Sequence, residues 1–513
     1  MLALNTFMDR LLRSIDGRAI HILVVGDGNL SFSASLARQI AADRRTDVIL
    51  TCTTLEPRGI VETRYSASTE NIETLESYTF ARPFFEIDAT RLSSKVTTPP
   101  PNRIIFNFPH YGGKSSVTKN RRLLESFFTS ASQHISTPNG EIWVTLCNGQ
   151  GGTPADKNQR EWHNSWQIVD VAAKAGLILN RVGEFVADDY PGYVSKGYRS
   201  GNNGFITRAA VTHVFTKAHQ TVDEYLEKDH SIRIGDWCDE TIDTLAFCLD
   251  STFVRTRFVS HWDPNEIHPR HPLRHVRDLV LRCAERVAQS RGVLTSWMGV
   301  SVDRDCLFGE NVDNLPRIHQ LQFVLSKPLI INEDKNMLED ILVREVGLKG
   351  VSEWEKDVEI IVLRQNSVPV ASVSISYCEV VKFSVYLEAV AVQLYGISDA
   401  RILLSKSPRL LVLPDQLALT AISLFPCLHR HDISFWTDKP IGELELCAAL
   451  RSVGGSVIRS VTLYNAFIKS GRLSLCYIII YQSLDLAVSA EKAREINFML
   501  RRTISSKFNV ELR

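Results

Sequence analysis

From residue 19 the chain alternates short, continuous apolar runs with longer stretches whose apolar positions recur every three or four residues. Ala19–Val25, Asp47–Thr53, Phe84–Asp88, Arg103–Phe108, Glu141–Leu146 and Leu177–Arg181 have the length and apolar character of buried strands. Between them, the stretch after Ser31 through Ala42, Ser68–Ser77, 115–135 and 160–175 carry helical spacing, and Thr97–Pro101 is a proline turn. Strands alternating with helices predict a doubly wound α/β, Rossmann-like domain with a parallel sheet over 19–219.

The pattern then changes twice. Residues 220–423 read as α+β, with a helix at Pro272–Gln289 and strand-like runs at 320–326, 358–364, 369–377 and 383–393. Ser405–Pro414 reads as a turn plus strand, and Asp415–Leu424 as a short helix. Residues 424–513 give strand Asp432–Trp436, helix Ile441–Val453, strands Val457–Leu463 and Leu475–Tyr481, helix Ala490–Ser505 and strand Asn509–Leu512. That β-α-β-β-α-β order predicts a ferredoxin-like domain.

Composition sets limits around this reading. The 513 residues are 44% apolar and 23% charged, which suits globular domains of roughly 150 residues, about three in all. No apolar run approaches the roughly 18 residues a membrane span needs. Met1–Gly17 lacks the apolar core of a signal peptide; Phe7, Leu11, Leu12 and Ile15 predict a first amphipathic helix, with a mitochondrial presequence as the alternative. Ten cysteines, none in a CxxC pair, fit a reducing compartment without disulfides or structural zinc. A cytoplasmic protein without metal is the expectation, with nucleolus or mitochondrion as the other locations. Basic and acidic residues number 58 each, yet the balance is uneven. Residues 1–219 hold 24 basic and 20 acidic side chains, and 424–513 hold 12 and 8, so both ends are mildly basic around an acidic centre. A zero sum therefore does not exclude RNA; it means that affinity must come from local clusters.

Gly26-Asp27-Gly28 between the first strand and helix suits a tight turn that brings backbone close to a cofactor, though a purely structural turn has the same sequence. Leu30-Ser31 occupies the place of the third glycine in a dinucleotide fingerprint, which disfavours NAD. The acid at Asp27, with Asn29 and Ser31 beside it, suits the positive sulfonium and amino group of S-adenosylmethionine. Glu56, just beyond the second strand, is placed to grip ribose hydroxyls or to be a solvated loop carboxylate. Asp88, read as ending the third strand, is placed for the adenine amino group or for a helix cap. Asn107-Phe-Pro109-His110 ends the fourth strand and resembles the Asn/Asp-Pro-Pro-aromatic turn of amino-methyltransferases, which implies an amide and a proline-restrained carbonyl that orient the nitrogen to be methylated. His110 could accept that nitrogen's proton or stack on the base. Lys114, Lys119, Arg121 and Arg122 form a basic rim suited to phosphate. Tyr190–Arg199, with Tyr193, Lys196 and Arg199, interleaves aromatics and bases as a stacking surface or as an ordinary covering loop.

Taken together, Val25–Ser33, Asp88–Thr90, Ile104–Ser115, Asn120–Leu124 and Tyr190–Tyr193 resemble the large-subunit rRNA (uridine-N3) methyltransferase family, in order, over about 20–215. The resemblance implies a Rossmann-type S-adenosylmethionine domain that methylates a base nitrogen in RNA, with the base flipped out of its stack. Cys147 departs from it, standing where those enzymes usually have lysine after Thr-Leu. If that lysine serves RNA or the flipped base, substrate or activity differs here, and a non-catalytic RNA-binding or assembly protein is the alternative.

The last 90 residues resemble the ferredoxin-fold anticodon-binding domain that ends organellar and bacterial phenylalanyl-tRNA synthetases, on Arg430–Trp436, Arg451–Gly455, Val461–Phe467, Tyr477–Gln482 and Glu511–Arg513. That resemblance implies tRNA-like binding, with Arg430, Lys469, Arg472 and Arg501 as candidate phosphate contacts. The middle resembles a decayed synthetase catalytic domain, on His271–Arg274 and Leu411–Leu419. Gln416 replaces the arginine that would hold triphosphate, so aminoacylation is not expected. The sequence thus predicts an RNA (uridine-N3) methyltransferase that uses S-adenosylmethionine and binds rRNA or tRNA.

Overall fold

The computed structural model describes residues 11–12, 19–113, 116–137, 139–197, 203–228, 271–290, 295–303, 317–325, 336–349, 352–356, 360–365, 368–375, 381–397, 403 and 421–513. The chain divides into two compact units, Met1–Asp236 with Ala421–Arg513, and Trp237–Thr420.

The first unit opens with a seven-stranded sheet of β1 (Ile20–Val24), β2 (Val48–Thr53), β3 (Ala81–Phe84), β4 (Arg103–Asn107), β5 (Glu141–Leu146), β6 (Leu177–Glu184) and β7 (Val211–Lys217). Its order is β3-β2-β1-β4-β5-β7-β6. The five strands from β3 to β5 are parallel. Helices α1 (Ser31–Ala42), α2 (Ser68–Glu76), α3 (Val117–His134) and α4 (Ile168–Ala173) lie among the crossovers. On α1, Leu36, Ala37 and Ile40 are buried in one cluster with Ile22, Val24, Leu50 and Leu75. This is the Rossmann-like domain that the alternating pattern predicts.

Three details differ. Strand β7 was not read from the sequence, and it runs antiparallel to both neighbours, so the sheet is not wholly parallel. Between β6 and β7 the described residues form no α-helix, only the single turn Ala187–Asp189. The third strand ends at Phe84 instead of covering Phe84–Asp88, because Glu86 turns the chain with φ 59°. The expected helix 160–175 shrinks to α4, preceded by one turn at Trp162–Asn164 and a left-handed Gln167.

The second unit holds β8 (Thr295–Asp303), β9 (Arg317–Leu325), β10 (Ser352–Lys356), β11 (Ile360–Gln365), β12 (Val368–Ile375) and β13 (Val381–Tyr386), with α5 (Pro272–Ser290) and α6 (Leu387–Leu394). The sheet order is β10-β11-β12-β13-β9-β8, antiparallel throughout. The run 383–393, read as one strand, is β13 followed at once by the buried helix α6; a short apolar run does not distinguish the two by periodicity. Buried His271 opens α5, its Nδ1 accepting from Leu273 N at 3.3 Å. The expected strand within Ser405–Pro414, most of Asp415–Leu424 and Gln416 itself lie outside the described residues.

The chain ends with β14 (His429–Thr437), α7 (Glu443–Gly454), β15 (Ile458–Lys469), β16 (Arg472–Tyr481), α8 (Ala490–Phe508) and β17 (Glu511–Leu512). The antiparallel order is β15-β16-β14-β17, over a core of Ile433, Phe435, Leu446, Leu450, Ile479, Ile496 and Leu500. Val222, from the capped turn Val222–Leu226, is part of that core, so residues just past the expected boundary at 219 pack with the last domain. Leu424 N donates to Leu179 O at 2.7 Å, and Ala490 N to Asp170 Oδ1 at 2.6 Å. No helix among the described residues is long and apolar enough to cross a membrane.

Candidate functional site

Strands β1 and β4 are neighbours whose crossovers lead to opposite sides of the sheet, and the crevice at their carboxyl ends is where such sheets bind ligands. Gly26–Ser31 follows β1, Glu56 follows β2, Asn107–His110 follows β4 and Cys147 follows β5. The topology therefore gathers four of the predicted segments at one edge.

Gly26 has φ +66°, and a Cβ there would stand 2.6 Å from Phe106 Cε2. Only glycine fits. Asp27 points back into the loop: its Oδ2 accepts from Ser33 N at 2.8 Å and from Ser33 Oγ at 2.7 Å, capping the start of α1. Burial raises its pKa, and the Ser33 bonds oppose that rise. One carboxylate oxygen is thus committed to the fold, leaving Oδ1 as the one not tied to Ser33. Buried Asn29 receives Ser31 Oγ at 2.9 Å on its Oδ1 and Asn71 Nδ2 at 3.0 Å on its carbonyl. Ser31 Oγ also accepts from Val194 N at 3.1 Å, and Lys196 O lies 3.4 Å from where a Gly28 Cβ would be. The Tyr190–Gly197 loop therefore covers the glycine turn. Tyr193 sits inside that cover against Phe32 and Phe185, with ring centroids at 5.7 and 5.8 Å, and is not an outward stacking platform.

Glu56 is paired through Oε1 with Arg64, whereas its Oε2 is buried with no hydrogen-bond partner among the described residues. Thr53 Oγ1, at the end of β2, is in the same condition. Asp88 is exposed and caps a single turn, accepting from Thr90 N at 2.8 Å and Thr90 Oγ1 at 2.7 Å. It does not end the third strand; the cap is the reading that the structure favours.

On the β4 side, Phe108 takes φ 51°, uncommon for a bulky residue and held by its N–H bond to Thr145 O at 2.8 Å. Phe108 stacks on Phe205 and meets Phe185 edge-on, between half-buried Asn107 and buried Pro109. Asn107 Oδ1 accepts from Thr145 Oγ1 at 2.7 Å, and Asn107 Nδ2 is buried without a partner. His110 Nδ1 accepts from Gly112 N at 2.9 Å. A neutral imidazole that accepts at Nδ1 carries its proton on Nε2, so His110 is built to donate from Nε2 and not to take a proton there. The Nδ1 lone pair that a proton acceptor would use is thus engaged by Gly112 N in this geometry. Burial pushes the Cys147 thiol up to about 11, so it too stays protonated at neutral pH.

The basic candidates separate. Lys119 lies 5.0 Å over the Tyr111 ring and is exposed, as is Arg122. Arg121 is spent on the 162–165 turn, donating to Ser165 O at 3.0 Å and His163 O at 2.8 Å, and is not part of a phosphate rim. Lys196 is half-buried in the covering loop; Lys114 and Arg199 lie outside the described residues. Arg430 and Lys469 are exposed. Arg472 is paired with Asp438 at 3.0 Å and Glu511 at 2.7 Å, and Arg501 donates to Arg513 O at 3.0 Å. Among the described residues Asp170, Cys427 and His429 bring ligand-type atoms within 4.8 Å of one another. Asp170 there accepts from Ala490 N and His429 Nε2 faces Val488 O at 3.0 Å, so protein groups already engage both.

Sequence reading missed Thr145 and Thr212, which complete the Asn107 corner. It also missed Asp156, which gathers Gly149, Gly152 and Thr153 N–H groups to shape the loop after β5. Thr145 was visible only as part of a motif, because its partner is set by strand register.

Comparison with known proteins agrees with this layout. Residues 23–197 match the family described as rRNA (uridine-N3-)-methyltransferase BTM5-like. The chain is 29% identical to the mouse ferredoxin-fold anticodon-binding domain-containing protein 1 homolog, over 96% of this chain and 99% of that one. It is 42% identical to human ferredoxin-fold anticodon-binding domain-containing protein 1, over 38% of this chain and 31% of that one. A mitochondrial phenylalanine–tRNA ligase of Saccharomyces cerevisiae matches 26% of this chain and 30% of its own at 31% identity. The resemblances read at the two ends of the sequence are borne out: the N-terminal part is methyltransferase-like, and the chain is similar to proteins named for a ferredoxin-fold anticodon-binding domain.

Proposed function

We propose that the chain is an S-adenosylmethionine-dependent RNA methyltransferase that acts on uridine N3, with its last domain as a ferredoxin-fold RNA-binding module of the anticodon-binding kind. The middle unit is then a synthetase-like scaffold without aminoacylation. One observation carries the reading. Polar atoms of Thr53, Glu56 and Asn107, at the ends of β2 and β4 around the Gly26 turn, are buried without partners among the described residues. Native proteins pair most buried polar atoms with protein, water or a ligand, since each one left unpaired costs about 1–3 kcal/mol, and here three converge on one crevice.

Glu56 and Thr53 are the groups that would hold the ribose end of the cofactor, with the Gly26–Gly28 backbone against its amino-acid portion. When bound, S-adenosylmethionine supplies the methyl group. Asn107 donates from Nδ2 to a carbonyl beside the reacting nitrogen, and His110 Nε2–H is a second donor in the same corner. Two donors stabilise the negative charge that spreads over O2 and O4 as the imide gives its N3 proton to solvent hydroxide, and the resulting anion is the form that takes the methyl group. Phe108 and Phe205 exclude water from the corner. Lys119 and Arg122, together with Arg430 and Lys469, supply charge for RNA.

Calorimetry with S-adenosylhomocysteine, followed by methyl transfer to RNA, tests this reading. Binding is expected in the wild type and in Asn107→Ala, with turnover lost only in the variant. Absence of binding refutes the proposal. Binding without transfer to any RNA favours the second reading, a non-catalytic RNA-binding protein. That reading draws on Cys147, a protonated thiol where the resembled enzymes have a cation.

A further inference from the structure

Asn107, Thr145 and Thr212 occupy one rung of the first sheet. Asn107 is the register partner of Thr145 across the parallel pair β4–β5, and Thr145 is the partner of Thr212 across the antiparallel pair β5–β7. Both threonines are buried, and their hydroxyls lie 3.0 Å apart. Thr145 Oγ1 donates to Asn107 Oδ1 at 2.7 Å.

Proton counting fixes the direction of this chain. A hydroxyl has one proton. Thr145 places its proton on Asn107, so Thr212 must be the donor in the contact between the threonines. Turning the amide over would reverse the relay: Nδ2 would donate to Thr145, and Thr145 to Thr212. The Thr212 proton would then have no acceptor among the described residues, and Asn107 Oδ1 would be orphaned. The observed direction leaves the amide N–H as the group presented to a ligand, and Asn107 Nδ2 is indeed buried without a partner.

We infer that Thr145 and Thr212 are positioning residues that set the polarity of the Asn107 amide, so that the site takes a base edge bearing a carbonyl and rejects one bearing an amino group. The inference rests on the proposed RNA-methyltransferase site and adds how one base is told from another. Opposite a uracil carbonyl, Nδ2 makes a hydrogen bond. Opposite the exocyclic amine of cytosine, two donors meet and neither is satisfied. Strand β7 contributes no residue to the glycine turn or to the Asn107–His110 segment itself, yet through Thr212 it supplies the end of the relay that decides this choice.

The test compares binding of short oligo(U) and oligo(C) to the full chain in the presence of S-adenosylhomocysteine. Both oligomers share a backbone, so the affinity ratio reports the base edge. The wild type is expected to favour oligo(U) by about tenfold, the scale of one unmade hydrogen bond facing a buried donor. Thr212→Val keeps the β-branched shape and removes the proton; it should bring the ratio to within about twofold. Thr212→Ser restores the hydroxyl and should restore the ratio. Thr145→Val is the independent second variant, and unchanged S-adenosylhomocysteine binding certifies that each variant is folded. A wild type without preference for oligo(U), or a Val variant that keeps the full ratio, overturns the inference. Preference for oligo(U) without methyl transfer to RNA would sink the enzyme reading and leave this one standing. Methyl transfer without that preference would do the reverse.

Discussion

Replacing Gly26 by alanine isolates the turn on which the cofactor reading depends. At φ +66° an L-residue loses about 1–2 kcal/mol relative to glycine. The added Cβ also meets Phe106 Cε2 at 2.6 Å. Phe106 cannot step aside freely, because its ring packs edge-on against fully buried Phe127 at 5.0 Å. Overpacking of this kind costs about 1–3 kcal/mol. Together these give about 2–5 kcal/mol, a large part of the roughly 5–15 kcal/mol that holds a domain. In urea the midpoint should fall by about 1–2 M at slopes usual for small domains. The two compact units need not unfold together, so the readout is hydrogen exchange in peptides spanning β1 and β4. Gly59→Ala is the control: nothing lies within 4 Å of its new Cβ, and it sits in the short helix Arg58–Arg64. It should be neutral or stabilise by up to about 1 kcal/mol. If the two variants unfold at the same urea concentration, the strain argument for Gly26 is wrong.

Other expectations follow from the same geometry. With the His110 Nδ1 lone pair engaged and Cys147 protonated, methyl transfer should climb steadily with pH as the imide ionises; a plateau above an inflection near 6.5 would restore histidine as the base. Cys147, its thiol pushed up to about 11, should resist alkylation at pH 8, and rapid labelling there would contradict its burial. Burial lowers the pKa of His21 and His213 below the ordinary 6.5, so both stay neutral in the folded state while the unfolded chain takes up protons. Stability should therefore be flat above about pH 6.5 and fall below it, and His213→Asn should soften that fall in melts across pH 7 to 5. Asp170→Ala removes the carboxylate that accepts from Ala490 N at the start of α8 and should lower stability by about 1–2 kcal/mol, read by thermal melting; no change would mean that Ser489 alone caps the helix.

Strands β1, β2, β4 and β5 were legible because they are buried almost throughout and read as short, mainly apolar runs, as at Ile20–Val24 and Glu141–Leu146, whereas the half-exposed β3 was misplaced. Strand β7 has the same character, but Val211–Lys217 follows a long irregular stretch, and its direction is a tertiary outcome. The glycine turn and Asn107 could be found because their residue types are chemically unusual for their positions. What could not be read was which polar groups are already taken. Arg121 and Arg122 are adjacent and alike in sequence, yet one is bound to backbone carbonyls at 163 and 165 and the other is exposed. Asp88 and Glu56 differ in the same way: one is exposed and caps Thr90 through Oδ1, and the other keeps a buried oxygen unpaired. Charge is written in the sequence, whereas its partner is written in the fold.

The same distinction applies to where the chain divides. Composition and periodicity put a boundary at 219 because the alternation of strands and helices stops there. The side chains continue past it: Val222 lies in the core under β14 and β16, Tyr225 shares its hydroxyl with Ser456, and Asp223 pairs with Lys492 on α8. From the other end, Leu424 bonds to β6 and Ala490 to α4. A protein cut at 219 would strip Val222 and its neighbours from the final sheet and leave the Leu179 carbonyl and the Asp170 carboxylate without their N–H donors. Each loss is of the order of a buried hydrogen bond or a buried valine, about 1–3 kcal/mol. The first and last segments thus stabilise one another through buried contacts and form one compact unit, although nearly 200 residues of a second unit are inserted between them. Arg430 and Lys469 therefore sit on the same folded body that carries Asn107.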